Sequence, residues 1–122
     1  MSRVMLALKT VLVDADEIAT FIFDEIDTGV SGKTARKVGE KMSLLGKKRQ
    51  ILCITHQAQV AAQSDQHLLV KKQQTDPASS TILSLQEDAR IDELARMTGG
   101  VEISETTLQH ARQLRQLKFQ QV

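Results

Sequence analysis

With one cysteine among its 122 residues, the chain cannot close an internal disulfide. Cys53 sits inside the apolar run Ile51-Leu52-Cys53-Ile54, where a free thiol is expected to behave as a small buried hydrophobe. Neither charge dominates. Sixteen basic residues against fifteen acidic ones give a formal +1, too even a balance for a dedicated electrostatic nucleic-acid binder, so any DNA contact would be local. Long hydrophobic runs are missing as well: the apolar stretch near the start is interrupted by Arg3 and Lys9, is too short to span a bilayer, and lacks a small-residue cleavage pattern. A cytoplasmic protein with no membrane partner is expected. There is no repeat and no low-complexity tract. The hydrophobic content of 41% places the chain outside the low-hydrophobicity, high-charge class and allows one modest domain over residues 1–122.

What is present alternates in the manner of βαβ units. Val4, Met5, Leu8, Val11 and Leu12 fall on one helical stripe, and Asp14, Asp16 and Glu17, read as solvated, close that segment. Thr20-Phe21-Ile22-Phe23 follows, a β-prone run that suits a fully buried parallel strand. Asp27 to Gly32 supplies turn chemistry with a candidate N-cap at Ser31, after which Ala35, Val38, Met42 and Leu45 recur at helical steps as a crossover helix. Lys47, Lys48 and Arg49 after Gly46 read as a solvated corner at a helix C-terminus, being fewer charges than a basic tract carries. Gln50 to Ile54 forms the second strand, and a short helix runs from about Ala58 to Gln63. His67 to Lys71 and Thr81 to Leu85 read as a hairpin about a turn holding the sole proline, Pro77. A helix with Ile91, Leu94 and Ala95 inward stops at Gly99-Gly100, and Ser104-Glu105 opens a last helix carrying Leu108, Ala111, Leu114 and Leu117.

The first strand ends in two adjacent carboxylates, Asp24 and Glu25, and the second in His56. In open α/β sheets the carboxyl ends of parallel strands are where ligands are held. Two neighbouring acids suit two roles there, one carboxylate for magnesium and one to activate a water in nucleotide hydrolysis. His67 and His110 have no such context and are assigned to structure.

The ordered set Phe21-Ile22-Phe23-Asp24-Glu25-Ile26-Asp27-Thr28-Gly29-Val30-Ser31-Gly32, Ile54-Thr55-His56, Gln59-Val60-Ala61-Ala62 and Met97-Thr98-Gly99-Gly100 resembles the RecN family of bacterial DNA repair ATPases, in the SMC-like branch of ABC-type heads. The resemblance covers nearly the whole chain. It implies an α/β fold, the C-terminal half of a P-loop ATPase head, with mostly parallel central strands, a C-terminal hairpin and flanking helices. It also implies roles. Asp24 matches the Walker B acid that orders magnesium, Glu25 the general base, and His56 the switch histidine that senses the terminal phosphate. Asp27, Thr28 and Gly29 match the loop that reaches across a head-to-head dimer, and Ser2 and Arg3 open a stretch resembling the helix after the ABC signature. The implied cofactors are ATP and Mg2+ in the complete head. The implied partners are the N-terminal lobe, a second head and, through the full-length protein, DNA.

The signature, the phosphate-binding loop and the glutamine loop have no counterpart in this sequence. The chain therefore reads as a fragment holding half of an ATP site, without the N-terminal lobe or coiled coil, and is expected to bind no ATP alone and to self-associate. It departs from the family at Ser31, where many heads carry aspartate, and at Gln57-Ala58, where Leu-Pro is common. A rival phosphate loop spans Asp27 to Thr34 and matches at Gly32, Lys33 and Thr34, but Asp27 replaces its first glycine and puts a carboxylate beside the phosphate, so anion binding is disfavoured. The alternative function is a non-catalytic association module that uses an exposed strand edge and an uncovered sheet face.

Overall fold

The computed structural model describes residues 4–8, 17–30, 32–99 and 102–119. Ser2, Arg3, Val11, Leu12, Asp14, Asp16, Ser31 and Gly100, all singled out by the sequence, lie outside them. After a helical stretch at residues 4–8 come β1 (Thr20–Asp24), α1 (Gly32–Gly46), β2 (Gln50–Ile54) and α2 (Ala58–Ala61). Then follow β3 (His67–Gln73), β4 (Ser79–Leu85), α3 (Glu87–Gly99) and α4 (Glu105–Phe119).

Strands β1 and β2 pair in parallel, Thr20 beside Gln50 through to Asp24 beside Ile54, with α1 as the crossover between them. The expected stripe of Ala35, Val38, Met42 and Leu45 is the buried face of α1. It packs with Phe21, Phe23, Ile26, Leu6 and Val60 into a first core, with Ile51 and Cys53 against it. A side chain as enclosed as Leu45 contributes about 1.5–3 kcal/mol by leaving water.

Two expectations need correcting here. The first strand is not buried on both faces: Phe21 and Phe23 are enclosed, whereas Ile22 is 68% exposed, and Leu52 and Ile54 on β2 are 44% and 55% exposed. The physical reason is that α1 covers one side of the pair, so the strand period of two leaves every second side chain bare. In the leading helical stretch, Val4, Met5 and Leu8 of the apolar stripe are exposed and Leu6, off that stripe, is buried.

Strands β3 and β4 form an antiparallel hairpin that makes its own two-stranded sheet, separate from β1 and β2 among the described residues. Both strands run further into the turn than the sequence suggested, to Gln73 and from Ser79, and Asp76-Pro77 is a cis peptide. A second core lies between α2, α3 and α4. It consists of Ala58, Ala61, Ala62, Leu94, Ala95, Ala111 and Leu114, with Ile91, Met97 and Leu108 partly buried around it; of these the helical stripes foretold Ile91, Leu94, Ala95, Leu108, Ala111 and Leu114. The short helix is one residue-pair briefer than expected, ending at Ala61 with a turn through Gln63. It is the wall shared by both cores, since Val60 faces the first and its alanines the second. Gly39 permits the close crossing of α1 over α2: a Cβ there would lie 2.9 Å from Gln63 Cγ and 3.2 Å from Val60 Cα.

Candidate functional site at the carboxyl end of the parallel strands

Because β1 and β2 run the same way in register, Asp24-Glu25 and Thr55-His56 leave the sheet at the same end. The ladder extends one step past the strands, with Glu25 N–H donating to Ile54 O at 2.8 Å. The backbone then turns sharply. Glu25 has φ of 50°, a left-handed conformation that costs a residue with a Cβ roughly 1–2 kcal/mol. It is held there by Thr28, whose N–H and Oγ1 both donate to Glu25 O, at 3.2 and 2.8 Å. Asp24 and Glu25 are thereby left exposed at the strand end, with Ile26 turned into the first core.

The loop residues separate into two kinds. Thr28 and Gly29 are exposed, and Gly29 takes φ of 79°, which a side chain would resist. Asp27 is wholly buried. Its Oδ2 accepts a hydrogen bond from Thr55 Oγ1, and its Oδ1 has no partner among the described residues. Gln57 completes the junction: its Nε2 donates to Asp27 O at 3.0 Å and also to Val30 O, while its N–H donates to Thr55 Oγ1 at 3.0 Å. His56, between Thr55 and Gln57, is exposed. Cys53 packs on the first core, half-buried, and its thiol is pushed up to about 12 by burial, then by the negative charges of Asp27 and Asp24, so it stays protonated as an inert apolar group.

Sequence reasoning passed over the side chains of Thr55 and Gln57, although two polar residues flanking a histidine at a strand end were a usable signal. It also missed the charged residues that fasten the segment after α2. Arg90, 2% exposed, donates from Nη1 to Asp65 O at 3.1 Å and from Nη2 to Ser64 O at 2.7 Å and Ala61 O at 3.3 Å. Arg115 donates from Nη1 to Ala62 O at 2.7 Å and Ser64 O at 3.1 Å, and pairs with Glu87 at 2.5 Å. Lys118 reaches Gln63 O at 2.5 Å and Asp65 at 2.9 Å. Three cations thus satisfy the carbonyls at the open end of α2, the end where helices leave acceptors unpaired. An open depression of about 620 Å³ lies at the amino end of β1 and β2, lined by residues that include Glu17, Lys47, Lys48 and Arg49, away from the acidic rim.

Compared with known proteins, the chain is 47% identical over 115 residues to DNA repair protein RecN of Treponema pallidum, a match that takes in 93% of this chain. The sequence is RecN-like. RecN of Halalkalibacterium halodurans and of Bacillus subtilis match at 42% and 41% identity over the same 93%. The chain spans about one fifth of the length of these curated relatives, 20% in each. No family model matches it. In fold the RecN-like chain is similar to a solved structure from work on ATP-driven dimerization and DNA-stimulated activation of SMC ATPases, with a TM-score of 0.66 at 18% identity, over 83% of this chain and 61% of that one. The α/β architecture is therefore similar to that of this solved structure.

Proposed function

We propose that this chain supplies the C-terminal half of the ATP site in a RecN-like DNA repair ATPase, with Asp24, Glu25 and His56 as its working side chains. The observation that carries the reading is the single hydrogen bond from Glu25 N–H to Ile54 O, which fixes the acidic pair and the histidine segment on one rim. The similarity to RecN supports the repair assignment, and the SMC-type fold supports ATP as the substrate.

Asp24 is the residue to hold Mg2+. The donor set fits that ion in its chemistry, since Asp24 and Glu25 are exposed carboxylates at the strand end. Such sparse ligation suits Mg2+, which takes one or two carboxylates and fills its other positions with phosphate oxygens and water. When bound, the ion neutralises charge on the phosphates. Glu25, its backbone pinned on both sides, accepts the proton of the attacking water. His56 donates a hydrogen bond to the terminal phosphate. Thr28 and Gly29 form the exposed part of the loop that crosses to a second head, and Asp27 fixes that loop from within. Ser2 and Arg3 are assigned by family resemblance to the nucleotide side of the same dimer.

The test is reconstitution with the N-terminal half of a RecN relative. Glu25→Gln should lower ATP hydrolysis by about a hundred- to ten-thousandfold. Unchanged hydrolysis rejects the assigned base. Calorimetry of the chain alone with Mg-ATP should detect no binding. Tight binding abolished by Lys33→Ala would move the site to Gly32-Lys33-Thr34. A second reading, self-association without catalysis, draws on the bare apolar side chains of Ile22, Leu52 and Ile54, which an aqueous monomer rarely leaves in one patch. Light scattering that finds only monomer would remove it.

A further inference from the structure

His56 projects outward from a segment whose two flanking side chains both point the other way, into the loop that follows the acidic pair. Thr55 Oγ1 donates to the buried Asp27 Oδ2 and receives the Gln57 N–H, so one hydroxyl bridges both loops. The Gln57 amide uses both of its hydrogens on carbonyls of that loop, Asp27 O and Val30 O. Asp27 O already closes the turn by accepting from Val30 N–H at 3.2 Å. The exposed pair Thr28-Gly29 therefore hangs between two points that Gln57 grips. The wholly buried Asp27 carboxylate has Thr55 as its hydrogen-bonding side chain and an Oδ1 with no partner among the described residues, so little else holds it if that bond is lost.

We propose that Thr55 and Gln57 are positioning residues that lock the His56 backbone to the Asp27–Val30 loop, so that the place of the histidine depends on the place of that loop. The coupling rests on the reading of His56 as the phosphate-facing residue. Its logic is geometric: Thr55 bonds the Asp27 carboxylate, and Gln57 bonds the backbone carbonyls of Asp27 and Val30 on either side of the exposed tip. Displacing the tip must stretch the Gln57 bonds or drag the adjoining His56 backbone with it, Gln57 itself being extended at φ −102° and ψ 124°.

The 122-residue chain carries its own controls, since His67 and His110 lie in the other half of the molecule. By NMR, the Gln57 side-chain amide of the unmodified chain should show slowed exchange and two separate proton shifts. A freely averaged amide would overturn the proposal without any variant. Gln57→Leu should shift the His56 Cε1–H resonance and speed amide exchange at Val30 by about tenfold, while His67 and His110 keep their positions. Thr55→Val should act in the same sense, and Thr55→Ser, which keeps the hydroxyl, should restore the native His56 signal. An unmoved His56, or equal shifts of all three histidines, would reduce the contacts to ordinary packing and refute the coupling. In the reconstituted ATPase, Gln57→Leu should lower kcat and leave KM for Mg-ATP unchanged. If His56→Ala hydrolyses ATP normally, the phosphate assignment fails whatever the spectra show.

Discussion

Around β1, β2 and α1 the interior is built from Phe21, Phe23, Met42 and Leu45, whereas between α2, α3 and α4 it is built mainly from alanines and closed by Arg90, Arg115 and Lys118. Large apolar side chains hold the first region together by area removed from water. They need no directional partner, and they leave one sheet face and one rim free. Small side chains bring the helices of the second region close but bury little surface each, so charged hydrogen bonds to the carbonyls of residues 61–65 make up the difference. The candidate rim belongs to the first region, and the helix after His56 belongs to both. The comparison teaches that α2, the helix after the histidine segment, is fastened from the far side of the molecule, where Arg90, Arg115 and Lys118 bond the carbonyls at its end.

The strongest way to break this contrast is Arg115→Ala. It removes donors from two carbonyls in the interior and from Glu87, and should cost about 2–4 kcal/mol in urea unfolding, a loss that Arg112→Ala on the exposed face would not match. Gly39→Ala tests the seam between the regions. Its Cβ would meet the backbone of α2, so a loss of about 1–3 kcal/mol is expected, and an unaltered midpoint would mean that the helices are not in such contact.

The smallest effect concerns pH. The Arg115 hydrogen bond holds the Glu87 carboxyl below its ordinary value against an opposing effect of burial. With its folded value depressed, Glu87 adds stability that is complete above the unfolded value and is lost as pH falls through the folded one. Glu87→Gln should therefore flatten the acid limb of stability against pH without moving the neutral plateau. The same slope in both proteins would remove Glu87 from the account. Glu87 is more than half exposed, so solvent screening keeps the change modest.

Much of this was legible in the chain itself. The periodicity of Ala35, Val38, Met42 and Leu45 located a buried helix face, and the runs ending in Asp24-Glu25 and His56 located two strands and their carboxyl ends. Hidden from it were the one-sided burial of β1, the outward turn of Val4, Met5 and Leu8, and the different fate of Asp27 from its neighbours Thr28 and Gly29. A β-prone run looks the same whether one face or two are covered, because coverage is decided by what packs on it. Asp27 and Thr28 are both polar loop residues, and only the approach of Thr55 and Gln57 from the neighbouring strand end separates a buried anchor from an exposed tip.

By itself the sequence determined the element order, the inward face of each long helix and the acids and histidine at the strand ends, because helical and strand periods are local and repeat along the chain. The tertiary structure alone decided which polar side chains became interior fastenings. Arg90 and Arg115 reach carbonyls more than twenty residues away, and Gln57 reaches a loop equally remote. No local pattern encodes such pairs, since a hydrogen bond is defined by where folding brings donor and acceptor together.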